Sequence, residues 1–486
     1  MTDLVLSYGF RLFWALFLGG MLAGNFRQSW NAENGKKDIF TRQRSDTAVW
    51  IDPIGFPIIL FIFWTIPVLG VNTRLSSQIE FLTAASADML LIISIYFTVL
   101  LLFLPLLRKY FTARTCAAFW LIPVFLLSQP VMMYYTIPLP PAVYLYIPQV
   151  ILTALRFIWI TGFLLIFSVQ IISHVSFIRI LRKTSCPVED PVLLEKWDAV
   201  REEMDYSVPV ELRYSSAVKT PLSVGMRKKR EITYLPERKF TETEAELIFR
   251  HELHHLQRKD THTKFVLRFC NALGWIHPLV WLAVQKAEED LELSCDEIVL
   301  KGAGPDKRIQ YARLLLSIAG DSSGFTTCLS ASAKTLRYRL KGVASGKAKR
   351  LGMGLLFVVM ALSSLAAGRI ALVTARGSAG EVTGLDLRQV TGVNIQQPEN
   401  EESLPVTDTE AFSQYLSELK VEKCLTVYEE ERDSAKLWLD GDFGESGTGF
   451  SLTDDYFTIY DRKDDNVKQQ YFVSVPVDWE YIKSLE

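Results

Sequence analysis

Six apolar stretches limit the architecture of this chain before any finer pattern is read. They cover residues 8–26, 54–71, 88–107, 116–135, 149–173 and 351–373, each near the ~20 residues an α-helix needs to cross a hydrocarbon core. Inside a bilayer every backbone polar group must find a partner within the protein, so such stretches are expected as helices. No basic region precedes the first stretch and Arg11 lies inside it, which points to a retained span rather than a cleaved signal peptide. The loops between them differ in charge. Arg27, Lys36, Lys37, Arg42 and Arg44 follow the first stretch, and Arg108, Lys109 and Arg114 follow the third. Arg179, Arg182 and Lys183 end the fifth, and Lys341, Lys347, Lys349 and Arg350 precede the sixth. Residues 72–87 carry only Arg74, and residues 136–148 carry no Lys or Arg. If all six stretches cross, every basic loop falls on one side, which an excess of Lys and Arg marks as cytoplasmic. The expected organisation is a transmembrane region over 1–173 with about five spans, a cytoplasmic domain over 174–350, a transmembrane helix over 351–373 and an extracytoplasmic domain over 374–486.

Net charge agrees with two different surroundings. Residues 374–486 hold 10 Lys and Arg against 24 Asp and Glu, leaving 42 against 30 for residues 1–373. Six scattered cysteines (Cys116, Cys186, Cys270, Cys295, Cys328 and Cys424) form no CxxC pair. That excludes a cysteine zinc finger, and a single cysteine in the acidic tail excludes a disulfide there. Arg156 lies within the fifth stretch with no acidic residue in a neighbouring one, so snorkelling or a turn toward the bundle is expected. The stretches show neither a chain of internal acids nor paired broken helices, which argues against a transporter.

Within 174–350, Glu189 to Tyr206 reads as an amphipathic helix, and Val210 to Tyr214 and Glu231 to Leu235 read as strands. Thr220-Pro221-Leu222-Ser223-Val224-Gly225 is an extended run interrupted by proline, as in an edge strand. Arg227-Lys228-Lys229-Arg230 reads as a hairpin tip near anionic lipid rather than a nucleic-acid contact. Thr241-Glu242-Thr243-Glu244 is a capping box opening a helix. On that helix His251-Glu252-Leu253-His254-His255 spells HExxH, with both outer histidines on one face. Two imidazoles so spaced can bind one zinc ion, and Glu252 is placed to take a proton from the attacking water. The apolar run Phe265 to Val284 is expected as two helices broken at Gly274 to Pro278, packed in this domain or dipping into the interface. A single crossing would put a bilayer between its two flanks. A new helix is expected from Pro278 to Lys301, with Gly302 at its C-terminal cap. It carries Glu292 and Asp296 on one face. Glu292 can complete the metal site, and Asp296 can accept the free ring N–H of a ligand histidine. His254 is read as ordinary; His262 and His277 are read as structural, with substrate contact as the alternative, and Cys295 is read as a small buried residue rather than a thiolate ligand. His277, Tyr311 and Arg313 stand as candidates for the donor that stabilises the oxyanion.

His251-Glu252-x-x-His255 with Glu292-x-x-x-Asp296 resembles the gluzincin-type membrane proteases. Arg258, Asp260, Trp275-Ile276-His277-Pro278-Leu279-Val280-Trp281 and Leu293-Ser294-Cys295-Asp296-Glu297 are similar to the BlaR/MecR antirepressor family. The resemblance covers residues 150–345 and implies a receptor-protease that senses an outer signal and, through a cytoplasmic zinc protease, leads to loss of a transcriptional repressor. It implies one zinc per chain held by His251, His255 and Glu292, Glu252 as general base and Asp296 behind the ligands. It also puts a substrate-binding edge at Thr220, Pro221 and Gly225. The implied fold is a multi-span α-helical membrane protein with a mainly α (α+β) zincin-like metalloprotease domain facing the cytoplasm of a bacterial cell.

The tail departs from that family's antibiotic sensors. Residues 374–486 are too few for a penicillin-binding domain, and Ser417-Glu418-Leu419-Lys420 spells SxxK without a KTG or SDN companion. A small α+β domain is expected, with a helix over Asp408 to Lys420. Its strands are expected at Leu425 to Tyr428, Lys436 to Leu439, Tyr456 to Tyr460 and Tyr471 to Val475. The leading expectation is a membrane zinc endopeptidase acting on a protein substrate, with the lipid bilayer and an extracytoplasmic ligand as further partners and no direct nucleic acid. A quality-control protease of the same chemistry and a non-catalytic signalling receptor are the alternatives.

Overall fold

The computed structural model describes residues 2–36, 47, 75–134, 136, 139, 141–225, 231–320, 333–345, 349–397, 402–427, 437–443, 447–462 and 467–485. Helix α1 (Thr2–Glu33) is followed by α2 (Leu75–Tyr110) and by three short helices, α3 (Ala113–Phe119), α4 (Ile122–Leu126) and α5 (Gln129–Tyr134). Strand β1 (Val143–Tyr146) then leads into α6 (Gln149–Lys183). Among the described residues, three helices are long and apolar enough to cross a membrane, and they lie in α1, α2 and α6. Val150 on α6 is 82% exposed and Leu102 on α2 is 72% exposed, with Phe157, Leu165 and Ile172 open beside them. Apolar surface of that extent suits lipid rather than water.

A second module follows, with strand β2 (Ser185–Pro187), helix α7 (Pro191–Glu203) and strands β3 (Val210–Ser215), β4 (Leu222–Val224) and β5 (Glu231–Leu235). Asp190 caps α7 by accepting the N–H groups of Val192 and Leu193, and Pro191 fits the first turn, where no helical donor is lost. The sheet runs β2-β3-β5-β4, so β4 is an edge. Helices α8 (Glu242–Arg258), α9 (Asp260–Leu273), α10 (Pro278–Val299), α11 (Pro305–Gly320) and α12 (Ala333–Ser345) complete it. Trp197, Leu212, Phe249, Leu253 and Tyr311 share one buried core between sheet and helices. Gly342 lets α12 close on α10, since a Cβ there would lie 2.4 Å from Leu293 Cδ1.

Helix α13 (Met353–Leu365) leads to a third module. It contains β6 (Ile370–Ser378), α14 (Ala379–Thr383), β7 (Val390–Gln397), β8 (Glu402–Pro405), α15 (Thr409–Glu418) and β9 (Lys420–Cys424). Strands β10 (Trp438–Phe443), β11 (Thr448–Leu452), β12 (Tyr456–Asp461) and β13 (Val467–Val473) and helix α16 (Trp479–Lys483) follow. Its sheet runs β1-β6-β9-β13-β12-β11-β10-β7-β8, with α15 closing the core through Phe412 and Leu416.

Several expected boundaries are corrected. Residues 116–135 are not one helix but α3 to α5, restarted at Leu121 with Pro123 in the first turn of α4. Helices α3 and α4 are largely buried, the setting in which a broken helix keeps its backbone satisfied inside a bilayer. Residues 351–373 hold a helix of 13 residues, followed by a strand that begins at Ile370. At about 1.5 Å per residue it covers ~20 Å, short of a ~30 Å core. The third module's sheet therefore starts before residue 374 and recruits β1 from the loop ahead of α6, with Val143 to Tyr146 parallel to Ile370 to Val373. In the tail the strand is Lys420–Cys424, not Leu425 to Tyr428, because α15 ends at Glu418 and the chain turns straight into β9. The expected stretch at 54–71 and the run Arg227 to Arg230 lie outside the described residues.

The long helices join the two sheet-bearing modules. At one end Asp88 accepts the N–H groups of Gly368 (2.7 Å) and Arg369 (3.1 Å), and Arg11 donates to the Ala367 carbonyl. At the other, Arg108 meets Asp290 at 2.9 Å. Asp88 and Arg108 are about 30 Å apart along α2 at the helical rise. Between these ends the α9–α10 hairpin tip packs against α2 and α6. Trp159 donates to the Leu273 carbonyl, Trp275 donates to the Trp159 carbonyl, and Ser94 Oγ lies 2.5 Å from His277 Nε2. Phe265 to Val284 is thus two helices joined at Gly274 to His277.

Candidate metal centre

The capping box forms: Thr241 Oγ1 accepts the Glu244 N–H and the Glu244 carboxylate accepts the Thr241 N–H. It fixes the start of α8, which buries Ala245, Ile248 and Leu253 and sets the azimuth of His251 and His255. The two Nε2 atoms lie 3.1 Å apart. Glu292, reaching across from α10, brings Oε2 to 3.6 Å from each. Ligand atoms on a zinc with bonds of ~2.0–2.1 Å lie about 3.3–3.4 Å apart at tetrahedral angles, so two neutral imidazoles and a carboxylate at these separations fit zinc.

The charges around the trio favour an anionic third ligand. Burial pushes the Glu292 carboxyl up, but Lys264 and His255 outweigh it and hold it well below the usual carboxylate range. Lys264 Nζ lies 3.0 Å from Glu292 Oε1. Burial lowers His255, yet Cys295, Glu292 and Asp260 hold it well above the ordinary histidine value. Metal entry would then displace a proton from it.

Behind the candidate ligands, Asp296 stands next to His251 as expected, and other groups join it. The closest carboxylate to a ring nitrogen of the pair is Asp260, whose Oδ2 lies 2.7 Å from His255 Nδ1. Asp296 Oδ1 lies 3.5 Å from His251 Nδ1, and the Tyr311 hydroxyl bonds to both from the side. That hydroxyl is 3.0 Å from Nδ1 and donates to Asp296 Oδ1 at 2.6 Å. Arg339 grips Asp296 through Nε and Nη2 at 2.8 and 2.7 Å. Asp260, Tyr311 and Arg339 were thus not recognised in these roles from the sequence. Asp260 carried one signal, its place directly after the motif helix.

The expected oxyanion donors are elsewhere. Tyr311 faces Asp296 behind His251, His277 is committed to the hairpin tip beside Ser94, and Arg313 is exposed on α11. Cys295 Sγ lies 3.4 Å from His255 Nδ1 and forms a second His255, Asp260 and Cys295 grouping. The Arg258 guanidinium stands 3.2 Å from that sulfur and already supplies the positive charge there.

Glu252 is 6% exposed, and its Oε2 accepts from Ser223 Oγ at 2.9 Å. Ser223 is the middle residue of edge strand β4, so the stretch Thr220 to Gly225 lies beside the motif helix. In the third module Ser417 donates to the Gln414 carbonyl at the end of α15, and Lys420 begins β9.

Residues 135–343 match the family described as BlaR1 peptidase M56. Over 182 residues the chain is 26% identical to the regulatory protein BlaR1 of Bacillus licheniformis, covering 37% of this chain and 30% of that protein. The alignment thus spans under a third of that curated relative's length.

Proposed function

We propose that this member of the BlaR1-type M56 peptidase family is a membrane zinc endopeptidase coupled to an outer sensor module. The observation that carries the reading is the convergence of His251, His255 and Glu292, with ligand atoms within 4.8 Å of one another, next to an edge strand that touches Glu252. In this reading the trio holds one zinc. When bound, zinc supplies Lewis acidity, lowering the pKa of a water and polarising the peptide carbonyl.

The protein's own groups do the rest. A peptide pairs with the free edge of β4, whose main-chain groups hold it extended whatever its side chains, with Thr220, Pro221 and Gly225 framing the seat. Glu252 takes the proton of the attacking water and returns it to the leaving nitrogen. Ser223, by donating to Oε2, keeps that carboxylate turned toward the edge strand. Asp296 acts through Tyr311 to orient His251, and Asp260 orients His255 directly.

The second module faces the cytoplasm and the third faces outward, in keeping with the basic loops at one end of the long helices. The resemblance to the BlaR/MecR antirepressor family, together with similarity to a protein named as regulatory, favours a cytoplasmic transcriptional repressor as the substrate. The test is a comparison of cleavage products between cells carrying the wild type and Glu252→Gln. The reading expects a small set of products that vanish in the variant, and identical product sets would remove peptide hydrolysis as the function.

A further inference from the structure

The metal centre sits on two helices that a third, from the membrane region, holds together. Arg258, the last residue of α8, donates from Nη1 to Ser294 Oγ at 2.7 Å and from Nη2 to the Ser294 carbonyl at 3.1 Å. Nη1 also reaches Cys295 Sγ at 3.2 Å, and that sulfur lies 3.4 Å from His255 Nδ1. One guanidinium therefore ties the helix that carries His251 and His255 to the helix that carries Glu292. Its remaining nitrogen, Nε, donates to Glu33 Oε1 at 2.5 Å. Glu33 is the last residue of α1, its side chain is fully buried, and its other oxygen pairs with Arg114.

We propose that Glu33 is a positioning residue of the metal centre: its buried carboxylate fixes Arg258, and Arg258 sets the separation of the histidine pair from Glu292. This rests on the reading of those three residues as metal ligands. A buried guanidinium without its counter-charge is strongly unfavourable. Without Glu33, Arg258 would turn to other acceptors or draw in water and lose its hold on Ser294. Groups hydrogen-bonded directly to metal ligands typically change metal affinity by about 10–100-fold when altered; Glu33 acts from further back, through Arg258 and Cys295, so its effect is expected at or below the low end of that range.

The full-length protein, purified in detergent and loaded with Co(II) in place of zinc, provides the test. Glu33→Gln keeps the side chain's shape and removes its charge. The expected result is an altered visible spectrum of the bound cobalt, a zinc dissociation constant raised by up to ~10-fold, and a lower kcat with KM unchanged. Arg258→Lys, which retains a charge for Glu33 but lacks the fork that grips Ser294, is expected to shift the spectrum too, and it carries the test if Glu33→Gln does not fold. Asp190→Ala, which removes the distant cap of α7, controls for general destabilisation and should leave the spectrum as in the wild type. Wild-type spectrum and zinc affinity in folded Glu33→Gln or Arg258→Lys would overturn the proposal. Failure of the wild type itself to bind either metal would instead overturn the metal-centre reading.

Discussion

Asp260 Oδ2 lies 2.7 Å from His255 Nδ1 across one left-handed residue, Lys259, with φ 54° and ψ 44°. That turn ends α8 and starts α9 without a linker, so Asp260 swings back over the last turn of the motif helix. Its carboxylate selects the tautomer that leaves Nε2 free for a metal. Asp260→Asn is expected to keep the fold and lower zinc affinity by about 10–100-fold, as other changes directly behind metal ligands do. Metal titration of the purified variant checks it, and wild-type affinity would leave Asp260 a purely structural role.

How much of this site could be read from the sequence depends on whether the deciding signal was local. The motif helix was legible because its cap and apolar face lie within one short stretch, and the start of α10 because Pro278 follows a glycine break. Asp260 was recognised only as similar to a family, since nothing in Lys259 announces a positive φ, which non-glycine residues rarely adopt. Arg339 was missed because it lies far along the chain and meets Asp296 only when Gly342 lets α12 close on α10. Residues 351–373 misled for a related reason. Ile370 to Val373 is as apolar as a span but is buried between strands β1 and β9. A short apolar run cannot by itself separate a buried strand from a helix.

Substrate capture by the edge of β4 makes a prediction about backbone donors. Val224 is the last residue of that strand and pairs with Ile232 of β5. Val224→Pro deletes an N–H and bends the edge. Turnover is expected to fall at least ~10-fold, the effect of ~1.4 kcal/mol or more in binding and alignment, while zinc content stays at the wild-type level. Normal turnover with unchanged metal would move the peptide elsewhere, most directly to the surface around Trp275.

Glu246 links α7, α8 and α11 through Lys196 (3.3 Å), Arg250 (3.2 Å) and Lys307 (3.4 Å). Burial raises its carboxyl, but the partners Lys196, Lys307 and Arg250 outweigh that and hold it below its ordinary value. A carboxyl with a depressed folded pKa stabilises fully above its unfolded value and loses that contribution as pH falls through the folded value. Glu246→Gln is therefore expected to lower the melting temperature at neutral pH, with the difference shrinking as pH falls below the unfolded value of about 4.3 and vanishing only below the lower folded value. Parallel thermal scans at pH 7 and pH 3 measure this, and an equal deficit at both would show that charge is not the cause.

The final prediction concerns which way the chain faces. Arg11 and Asp88 meet the start of the third module's sheet, whereas Glu33 and Arg108 meet the helices of the metal centre. Helices α1 and α2 thus each place one end at each module, about 30 Å apart. Strand β1 enters the third module's sheet directly before α6, and α6 ends at β2 of the second. All three long helices therefore connect the same two faces, and the basic residues that end two of them, Arg108, Lys109, Arg182 and Lys183, lie at the metal-centre face, which the charge rule predicts to be the cytoplasmic one. In a variant without native cysteines, a single cysteine at exposed Gln414 should react with an impermeant maleimide added to intact cells. One at exposed Ser216, next to β3, should react only after the cells are opened. The opposite pattern would put the metal centre outside and end the receptor-protease reading, because cytoplasmic proteins would then be out of its reach.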